Sequence, residues 1–300
     1  MDKYICLDIG GTSIKYGLAD SRGRLFNKDS IPNTIEQEGV DVFLDRVLGL
    51  IASYQKYFKV QGAAISMAGI INPISGNIAY ATPHFPGLGG KNLAQMVTEI
   101  LRLPCWVEND VNAATLGEYW LGAGRGAESL FCMTIGTGIG GAFLLNGKLW
   151  HGHTFSAGEV GQAKLGGRIS WEEAASVTAL VEKTAKAKGI DKATLNGKLI
   201  CDAVRRGDKT AARILRETVH HWAVGIAGVC LMLNPQRVIL GGGIMAQKEL
   251  LEPLLKKALE KELIPVVREG TEFAFADLGN DAGLIGALYN FLAREKKYHL

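Results

Sequence analysis

Residues 8–12, Asp8-Ile9-Gly10-Gly11-Thr12, lie between two short segments of strand-like composition, Tyr4–Ile9 and Ile14–Leu18. An acidic residue at the end of a strand, followed by paired glycines and a second strand, predicts a β-hairpin with a tight turn. Because glycine has no side chain, the N–H groups of such a turn can approach phosphate oxygens closely. An ordinary hairpin, in which Asp8 only favours the turn, explains the same pattern.

Two charged residues near this turn have the chemistry of a phosphate site. Asp8 offers carboxylate oxygens, which hold Mg²⁺ directly or through water. Lys15 offers a positive charge, which suits a transferring phosphoryl group. The segment therefore predicts contact with a phosphorylated ligand through Asp8, Gly10, Gly11 and Lys15.

The same pattern of strand, glycine turn and strand returns about 130 residues later. Ser129–Ile135 and Ala142–Leu145 flank the turn Gly136-Thr137-Gly138-Ile139-Gly140-Gly141, and an Asn-Gly turn follows at residues 146–147. A G-x-G-x-x-G run that binds a dinucleotide must open a helix, so this hairpin excludes a Rossmann site. It still predicts phosphate contact, with Thr137 as a hydroxyl donor. We interpret the repeat as two similarly built α/β domains that face each other across a cleft.

Two further strand ends are candidate ligand sites, because ligands bind where strands end in α/β sheets. Pro104–Val107 leads into Glu108-Asn109-Asp110, and a helix follows from about Val111. A carboxylate there can accept the proton of a hydroxyl that attacks a phosphoryl group, but Asn and Asp are also preferred helix N-caps. Val238–Leu240 leads into Gly241-Gly242-Gly243, which suits either a nucleotide at a helix N-terminus or close packing.

Four other residues have reactive side chains but no supporting pattern of their own. Glu159 and Glu172 are isolated glutamates, which are usually solvated surface groups. His151 and His153 are two residues apart with no cysteine nearby, so we expect a surface turn rather than a metal site.

The composition limits the class of protein. Of 300 residues, 47% are hydrophobic and 21% charged, which indicates a folded globular chain. A net charge of +3 without a basic block argues against a nucleic-acid partner. Five scattered cysteines and no export signal predict a cytoplasmic protein with reduced thiols. The longest apolar stretch, Ala223–Leu233, is too short to cross a membrane and predicts a buried core helix.

Taken in order, these segments resemble the ROK family of sugar kinases, which has the actin-like ATPase (ribonuclease H-like) fold. The matching segments cover nearly the whole chain: Asp8–Thr12, Ser66–Gly69, Glu108–Ala114, Gly136–Gly141, Ala157–Gly161, Ser170–Ser176, Asn234-Pro235 with Leu240–Gly243, and Asp281–Gly286. The most specific are ENDVNAA at residues 108–114 and GTGIGGA at residues 136–142.

The resemblance implies an ATP-dependent kinase in which Asp110 is the general base for the C6 hydroxyl of a hexose. The implied sugar site comprises Gly69, His84, Asn109, Asp110, Glu159 and Glu172. The implied ATP site comprises Asp8, Gly10, Gly11, Thr12, Lys15, Gly136, Thr137, Gly138 and Gly242, with Mg²⁺ held by Asp8 through water. We expect a small α/β domain over residues 1–118, completed by a helix at 287–300, a large α/β domain over 119–286, and a homodimer.

The chain departs from the family pattern at two places. Gln162 stands where the family has a zinc-binding histidine, and Lys164–Glu172 lacks the three cysteines that complete the zinc site. We therefore expect no zinc, and a loop ordered by hydrogen bonds or packing. His84 stands where many members have asparagine near the sugar, so the identity of the sugar stays open.

Zinc-free members that this chain resembles include bacterial N-acetylmannosamine kinases and β-glucoside kinases. Phe131–Thr134 and Ala81–Pro83 favour N-acetylmannosamine, whereas Asp281–Ala287 is shared with the β-glucoside type, and glucokinase is a third alternative. A sugar-sensing module without catalysis is the alternative from another class. Related repressors carry a helix-turn-helix ahead of the first segment, for which the residues before Asp8 leave no room, and Asp110 also argues for catalysis.

Overall fold

The computed structural model describes residues 2–295. The strands are β1 (Lys3–Ile9), β2 (Ser13–Asp20), β3 (Leu25–Pro32), β4 (Val60–Met67), β5 (Ile70–Ile71), β6 (Ile78–Tyr80), β7 (Cys105–Asn109), β8 (Leu130–Ile135), β9 (Ile139–Leu145), β10 (Lys148–Leu149), β11 (Arg237–Gly241) and β12 (Glu272–Phe275). The helices are α1 (Ile35–Glu38), α2 (Val40–Tyr57), α3 (Leu93–Leu101), α4 (Asp110–Leu121), α5 (Trp171–Ala175), α6 (Val177–Lys188), α7 (Gly197–Arg205), α8 (Lys209–Leu233), α9 (Lys248–Glu262), α10 (Pro265–Gly270) and α11 (Ala282–Arg294).

The described chain forms two compact units, each built on one five-stranded sheet. Unit 1 comprises the described residues up to Arg125, His151–Ser156, and those from Asn280 onward; unit 2 comprises Gly126–Trp150 and Ala157–Gly279. The strand orders are β3-β2-β1-β4-β7 and β10-β9-β8-β11-β12. In each sheet two antiparallel pairings are followed by two parallel ones, so the predicted repeat and the α/β class are confirmed.

Unit 1 has helices on both faces of its sheet, and β1 shows why. Ile5, Leu7 and Ile9 point to one face and pack in the cluster that contains the apolar side of α2. Tyr4 and Cys6 point to the other face and pack with the apolar side of α11. A central strand buried on both faces needs such a nearly continuous apolar sequence. The predicted extension of α11 to residue 300 lies partly outside the described residues.

In unit 2, α8 is the long core helix, and it corrects the prediction for Ala223–Leu233. Its helical period brings Trp222, Ile226 and Cys230 into the core, each at most 1% exposed. The last turn is exposed instead, with Met232 at 77%. The prediction of a buried core helix over Ala223–Leu233 is therefore correct for most of the segment and wrong for its last three residues. Within residues 2–295 no helix combines the length and apolarity needed to cross a bilayer.

Helices α4 and α11 pack closely in unit 1 because glycines lie between them. A Cβ atom on Gly286 would lie 1.5 Å from the carbonyl oxygen of Ala113, and one on Gly117 would lie 2.5 Å from that of Ala282. Neither carbonyl can move away without moving its helix. The two glycines therefore fix the distance between the helix that begins at Asp110 and the helix that covers β1.

We predict that Gly286→Ala destabilises the protein by about 3 kcal/mol or more, the upper range for overpacking, because the two helices must separate. Gly228→Ala in α8 is the matched control: a Cβ there meets nothing within 4 Å, so the better helix propensity of alanine should leave stability unchanged or raised. Urea unfolding of both variants gives the free energies. A Gly286→Ala variant as stable as Gly228→Ala would contradict this account of the packing.

Candidate functional site

The candidate residues of unit 1 lie along one edge of its sheet. The strand register pairs Asp8 of β1 with Ser66 of β4, and Ser66 with Glu108 of β7. Since these three strands are parallel, their carboxyl ends meet at the same edge, where ligands bind in α/β sheets. The structure thus brings together the turn after Asp8, the residues after β4, and the Asn109-Asp110 pair.

Asp8 is held by contacts that the sequence did not reveal. Ser66 Oγ donates to Asp8 Oδ1 at 2.7 Å, and Lys15 Nζ lies 3.4 Å from Asp8 Oδ2. A Cβ on Gly283 would lie 2.6 Å from Asp8 Oδ1, so glycine leaves room for the carboxylate in this position. Ser66–Gly69 is one of the segments that match the family, but no local pattern predicted the contact between Ser66 and Asp8.

The turn after Asp8 is closed by its own backbone and bordered by His84. Gly10 N–H donates to Ser13 O at 3.0 Å, and Asn33 Nδ2 donates to Gly10 O at 2.9 Å. A Cβ on Gly11 would lie 3.5 Å from the His84 side chain. His84 Nδ1 lies 3.1 Å from Glu36 Oε1. The structure therefore places His84 directly against the glycine turn.

Asn109 is the N-cap of α4, so the capping alternative is confirmed. Its Oδ1 accepts from the N–H groups of Val111 at 2.9 Å and Asn112 at 3.0 Å. Its Nδ2 donates to Gly69 O at 2.9 Å and to Asp110 Oδ1 at 3.1 Å. One amide thus joins the segment between β4 and β5, the start of α4 and the candidate base.

The backbone at Gly69 requires glycine. Its φ is 123°, and a Cβ would lie 2.6 Å from Tyr80 O.

Asp110 is the first residue of α4, where the positive end of the helix favours an acidic side chain.

The prediction of a surface turn at residues 151–153 is confirmed for His153 and wrong for His151. His153 lies in a turn and is exposed. The His151 side chain is 17% exposed, and its Nε2 lies 3.0 Å from Oε2 of Glu108, which is fully buried. Glu108 is 43 residues away along the chain, so sequence spacing gave no sign of the contact.

In unit 2, the turn after β8 is shorter than predicted, because β9 begins at Ile139 rather than at Ala142. Gly136 N–H donates to Gly138 O at 2.9 Å, which closes the turn. Val177 N–H donates to Gly136 O at 2.9 Å, and Thr178 Oγ1 donates to Thr137 O at 2.8 Å. The N-terminus of α6 therefore holds the turn, and Thr137 is left exposed.

The interpretation of Glu172 as a solvated surface group is wrong. Its Oε2 accepts from Ile139 N–H at 2.9 Å, and a Cβ on Gly138 would lie 2.2 Å from that oxygen. Glu159 is exposed, yet neighbouring protein atoms desolvate it, and Glu172 adds like-charge repulsion. Both effects raise the pKa of Glu159 above its ordinary value, with desolvation the larger. The structure thus brings Glu159 and Glu172 together at the second glycine turn.

Hydrogen bonds order residues 164–172, the loop for which we expect no zinc. Ser170 and Glu173 form a capping box at the start of α5, and Lys164 pairs with Glu173 at 3.7 Å. Trp171 N–H donates to Ala163 O at 2.7 Å, which closes the base of the loop. In residues 2–295 no three His, Cys, Asp or Glu side chains are grouped as metal ligands.

Unit 2 also contains a cavity of about 660 Å³, a size typical of small-molecule sites. Val177, Val181, Leu195 and Ile244 supply apolar walls, and the turn at Gly136-Thr137 forms part of its lining. Gly242 adjoins the cavity. Its φ is 98°, and a Cβ would lie 2.1 Å from Ile135 O, so the alternative of close packing is confirmed for this glycine.

Comparison with known proteins shows relatives over nearly the full length. The model of the ROK family matches residues 4–294. An uncharacterized protein of Clostridium perfringens is 39% identical over 291 residues, covering 97% of this chain and 98% of its own. The β-glucoside kinase of Klebsiella pneumoniae is 32% identical over 304 residues and covers 96% of both chains.

Two solved structures resemble the whole chain. One is a Listeria monocytogenes protein whose assignment as an N-acetylmannosamine kinase is provisional, with a TM-score of 0.88, 28% identity, and coverage of 98% of this chain and 99% of its own. The other is a Streptomyces griseus glucokinase in complex with glucose and AMPPNP, with a TM-score of 0.81, 29% identity, and coverage of 95% and 98%. These likenesses confirm the predicted actin-like ATPase fold.

The raised pKa of Glu159 makes a testable prediction. The folded chain holds the proton of Glu159 more tightly than the unfolded chain does. The free energy of unfolding therefore falls as the pH rises from the ordinary pKa of Glu159 to its raised pKa, and it stays lower at higher pH. Glu159→Gln should therefore gain stability relative to wild type between acidic and neutral pH. Glu172→Gln should lower the pKa of Glu159 in carboxyl NMR titrations, but not to its ordinary value, because desolvation remains. An unchanged pKa would contradict the repulsion.

Proposed function

The chain belongs to the ROK family, and from that premise we propose that it is an ATP-dependent sugar kinase that phosphorylates the C6 hydroxyl of N-acetylmannosamine. The position of Asp110 carries the proposal. This carboxylate starts a capped helix at the sheet edge that also holds the Asp8 turn. A base beside a phosphate-type turn suits the transfer of a phosphoryl group to a hydroxyl.

We assign the nucleotide to unit 2. The apolar cavity has the size and lining for a nucleoside, and the exposed Thr137 with its flanking glycines has the backbone for phosphates. The binding of AMPPNP by the Streptomyces griseus glucokinase supports this assignment. The proposed contacts with ATP are Gly136, Thr137, Gly138 and Gly242 of unit 2, and Gly10, Gly11 and Thr12 of unit 1.

In the proposed reaction, Asp110 accepts the proton of the C6 hydroxyl as O6 attacks the γ-phosphorus of ATP. The new O6–P bond forms while the bond from the γ-phosphorus to the β,γ-bridging oxygen breaks, and ADP leaves. Asn109 holds Asp110 through the bond to its Oδ1, so the carboxylate is oriented before the sugar binds. Lys15 supplies positive charge toward the transferred group.

The carboxylate of Asp8 is the proposed support for Mg²⁺, through water. Its oxygens are hard donors of the kind that Mg²⁺ prefers, and Ser66 and Gly283 fix their position. When bound, Mg²⁺ neutralises phosphate charge during the transfer. Lys15, at 3.4 Å from Asp8 Oδ2, can instead turn toward the phosphates, since its side chain is 36% exposed.

For the sugar we assign Gly69, His84, Asn109, Glu159 and Glu172 as binding residues, together with Asp110. Glu172 uses Oε2 to hold Ile139 N–H, so Oε1 is the oxygen that we assign to a sugar hydroxyl. The Listeria monocytogenes structure supports N-acetylmannosamine. The Klebsiella pneumoniae relative supports a β-glucoside as the second candidate, and the Streptomyces griseus structure supports glucose as the third.

The proposal includes a cytoplasmic homodimer without zinc. All five cysteines are buried, as suits thiols in a reducing compartment. The segment 164–172, which lacks the cysteines of the family's zinc pattern, ends in the capping box of Ser170 and Glu173.

We predict that Asp110→Asn lowers kcat at least about 100-fold, because general-base catalysis contributes roughly 10² to 10⁴. Sugar binding, measured by calorimetry, should remain within about threefold, since the amide keeps the shape of the side chain. Asp45→Asn, an exposed change on α2, is the control and should have wild-type activity. ADP release is the readout, and the position of the phosphate is read by NMR of the product. Wild-type kcat in Asp110→Asn would overturn the assignment of the base.

We predict that Gly243→Leu raises the KM for ATP about tenfold or more by filling the proposed nucleoside cavity. A Cβ on Gly243 meets nothing within 4 Å, and the residue lines the cavity, so the added side chain occupies open space. Gly228→Leu on α8, also facing open space, is the control. An unchanged KM for ATP in a folded Gly243→Leu variant would place the nucleotide elsewhere.

A further inference from the structure

A fully buried carboxylate, Glu108, lies directly before Asn109 and Asp110. Its Oε1 accepts from Asn109 N–H at 3.0 Å and from Asn112 Nδ2 at 3.0 Å. Its Oε2 faces His151 Nε2 at 3.0 Å, with Arg294 Nη2 at 3.9 Å. All of these residues belong to unit 1.

Burying a carboxylate is costly unless hydrogen bonds and opposite charge compensate it. Arg294 supplies the charge, and its own position is fixed, because its Nε donates to Asn290 Oδ1 at 2.9 Å and its guanidinium lies 5.0 Å from the Trp106 ring centroid. Burial lowers the pKa of Arg294, and Glu108 partly offsets that effect. An apolar side chain could fill this space more cheaply, so the contacts of Glu108 need another explanation.

The two oxygens of Glu108 connect different parts of the chain. Through Oε1, Glu108 holds the backbone of Asn109 and the side chain of Asn112, one turn into α4. Through Oε2, Glu108 holds His151. This histidine is the first residue of His151–Ser156, a short segment of unit 1 that lies along the chain between two stretches of unit 2. The segment that follows, Ala157–Gly161, carries Glu159.

We propose that His151 is a positioning residue for Asp110 and acts through Glu108. His151 fixes Oε2, which leaves Oε1 aimed at Asn109 and Asn112, and Asn109 in turn holds Asp110. The proposal rests on the proposed function of Asp110 as the base. A misplacement of about 1 Å far from the reacting atoms can cost about 100-fold in rate, so this chain of contacts is sufficient to affect kcat.

The test compares three variants. His151→Phe keeps a ring of similar size but removes the donor to Glu108. His151→Gln restores a donor, since Gln Nε2 can reach the place of His Nε2. His153→Phe makes the same change on the neighbouring exposed ring and is the matched control. Each variant is assayed for kcat, sugar KM and thermal midpoint, with the full chain.

We expect His151→Phe to lower kcat about 10- to 100-fold while the sugar KM stays within about twofold, because the assigned sugar contacts at His84, Glu159 and Glu172 do not depend on this chain of hydrogen bonds. His151→Gln should recover most of kcat, and His153→Phe should equal wild type. If His151→Phe does not fold, Glu108→Gln replaces it. Glutamine keeps the oxygen that accepts from Asn109 and Asn112 but replaces Oε2 by an NH2 group, which cannot accept from His151 Nε2, so kcat should fall likewise with the sugar KM within about twofold.

Two results would overturn the proposal: wild-type kcat in folded His151→Phe, or a loss of kcat that His151→Gln does not restore. A parallel loss of sugar binding would also overturn it, because that pattern indicates a general structural role. Failure of the proposed function is distinguishable, since wild-type protein would then release no ADP with any sugar, or Asp110→Asn would retain full activity.

Discussion

The proposed orientation of Asp110 depends on the hydrogen bonds of the Asn109 side-chain amide. This amide caps α4, donates to the carbonyl of Gly69 and donates to Asp110, so three segments share one hydrogen-bonded group. Its Oδ1 and Nδ2 each make two hydrogen bonds within the protein, and the proposed sugar contact of Asn109 shares one of them. Asp110 is therefore oriented by the fold itself, which is the condition for a base that acts without reorganisation in the transition state.

Close backbone approach is the second constraint, and it explains why particular glycines adjoin the candidate site. Gly138 leaves room for the Glu172 carboxylate, and Gly283 leaves room for the Asp8 carboxylate. Gly242 lets the chain after β11 pass close to Ile135 at the end of β8. In each case a Cβ would lie 2.6 Å or less from an oxygen. Gly138 and Gly283 thus leave room for acidic side chains, and Gly242 leaves room for a backbone carbonyl.

The sequence predicted the two repeated hairpins and the strands that end before Glu108 and Gly241, because these depend on local periodicity and turn residues. It did not predict the short strands β5, β6 and β12. It could not predict that β9 starts at Ile139, since the carboxylate that fixes this residue, Glu172, lies 33 residues away. His151 was assigned to the surface for the same reason: its partner Glu108 is 43 residues distant. The exposed end of α8 depends on where the core ends, which hydropathy does not record. The resemblance to ROK kinases supplied roles that local patterns left open.

The most direct test of the central claim is Mg-ATP-dependent release of ADP with N-acetylmannosamine, N-acetylglucosamine, glucose, mannose and cellobiose at equal concentrations. The account predicts clear turnover, with N-acetylmannosamine preferred. A preference for glucose or cellobiose would contradict the choice of sugar and leave the mechanism intact. No ADP release with any sugar, while sugar binding persists, would contradict the assignment as a kinase and indicate a sugar sensor.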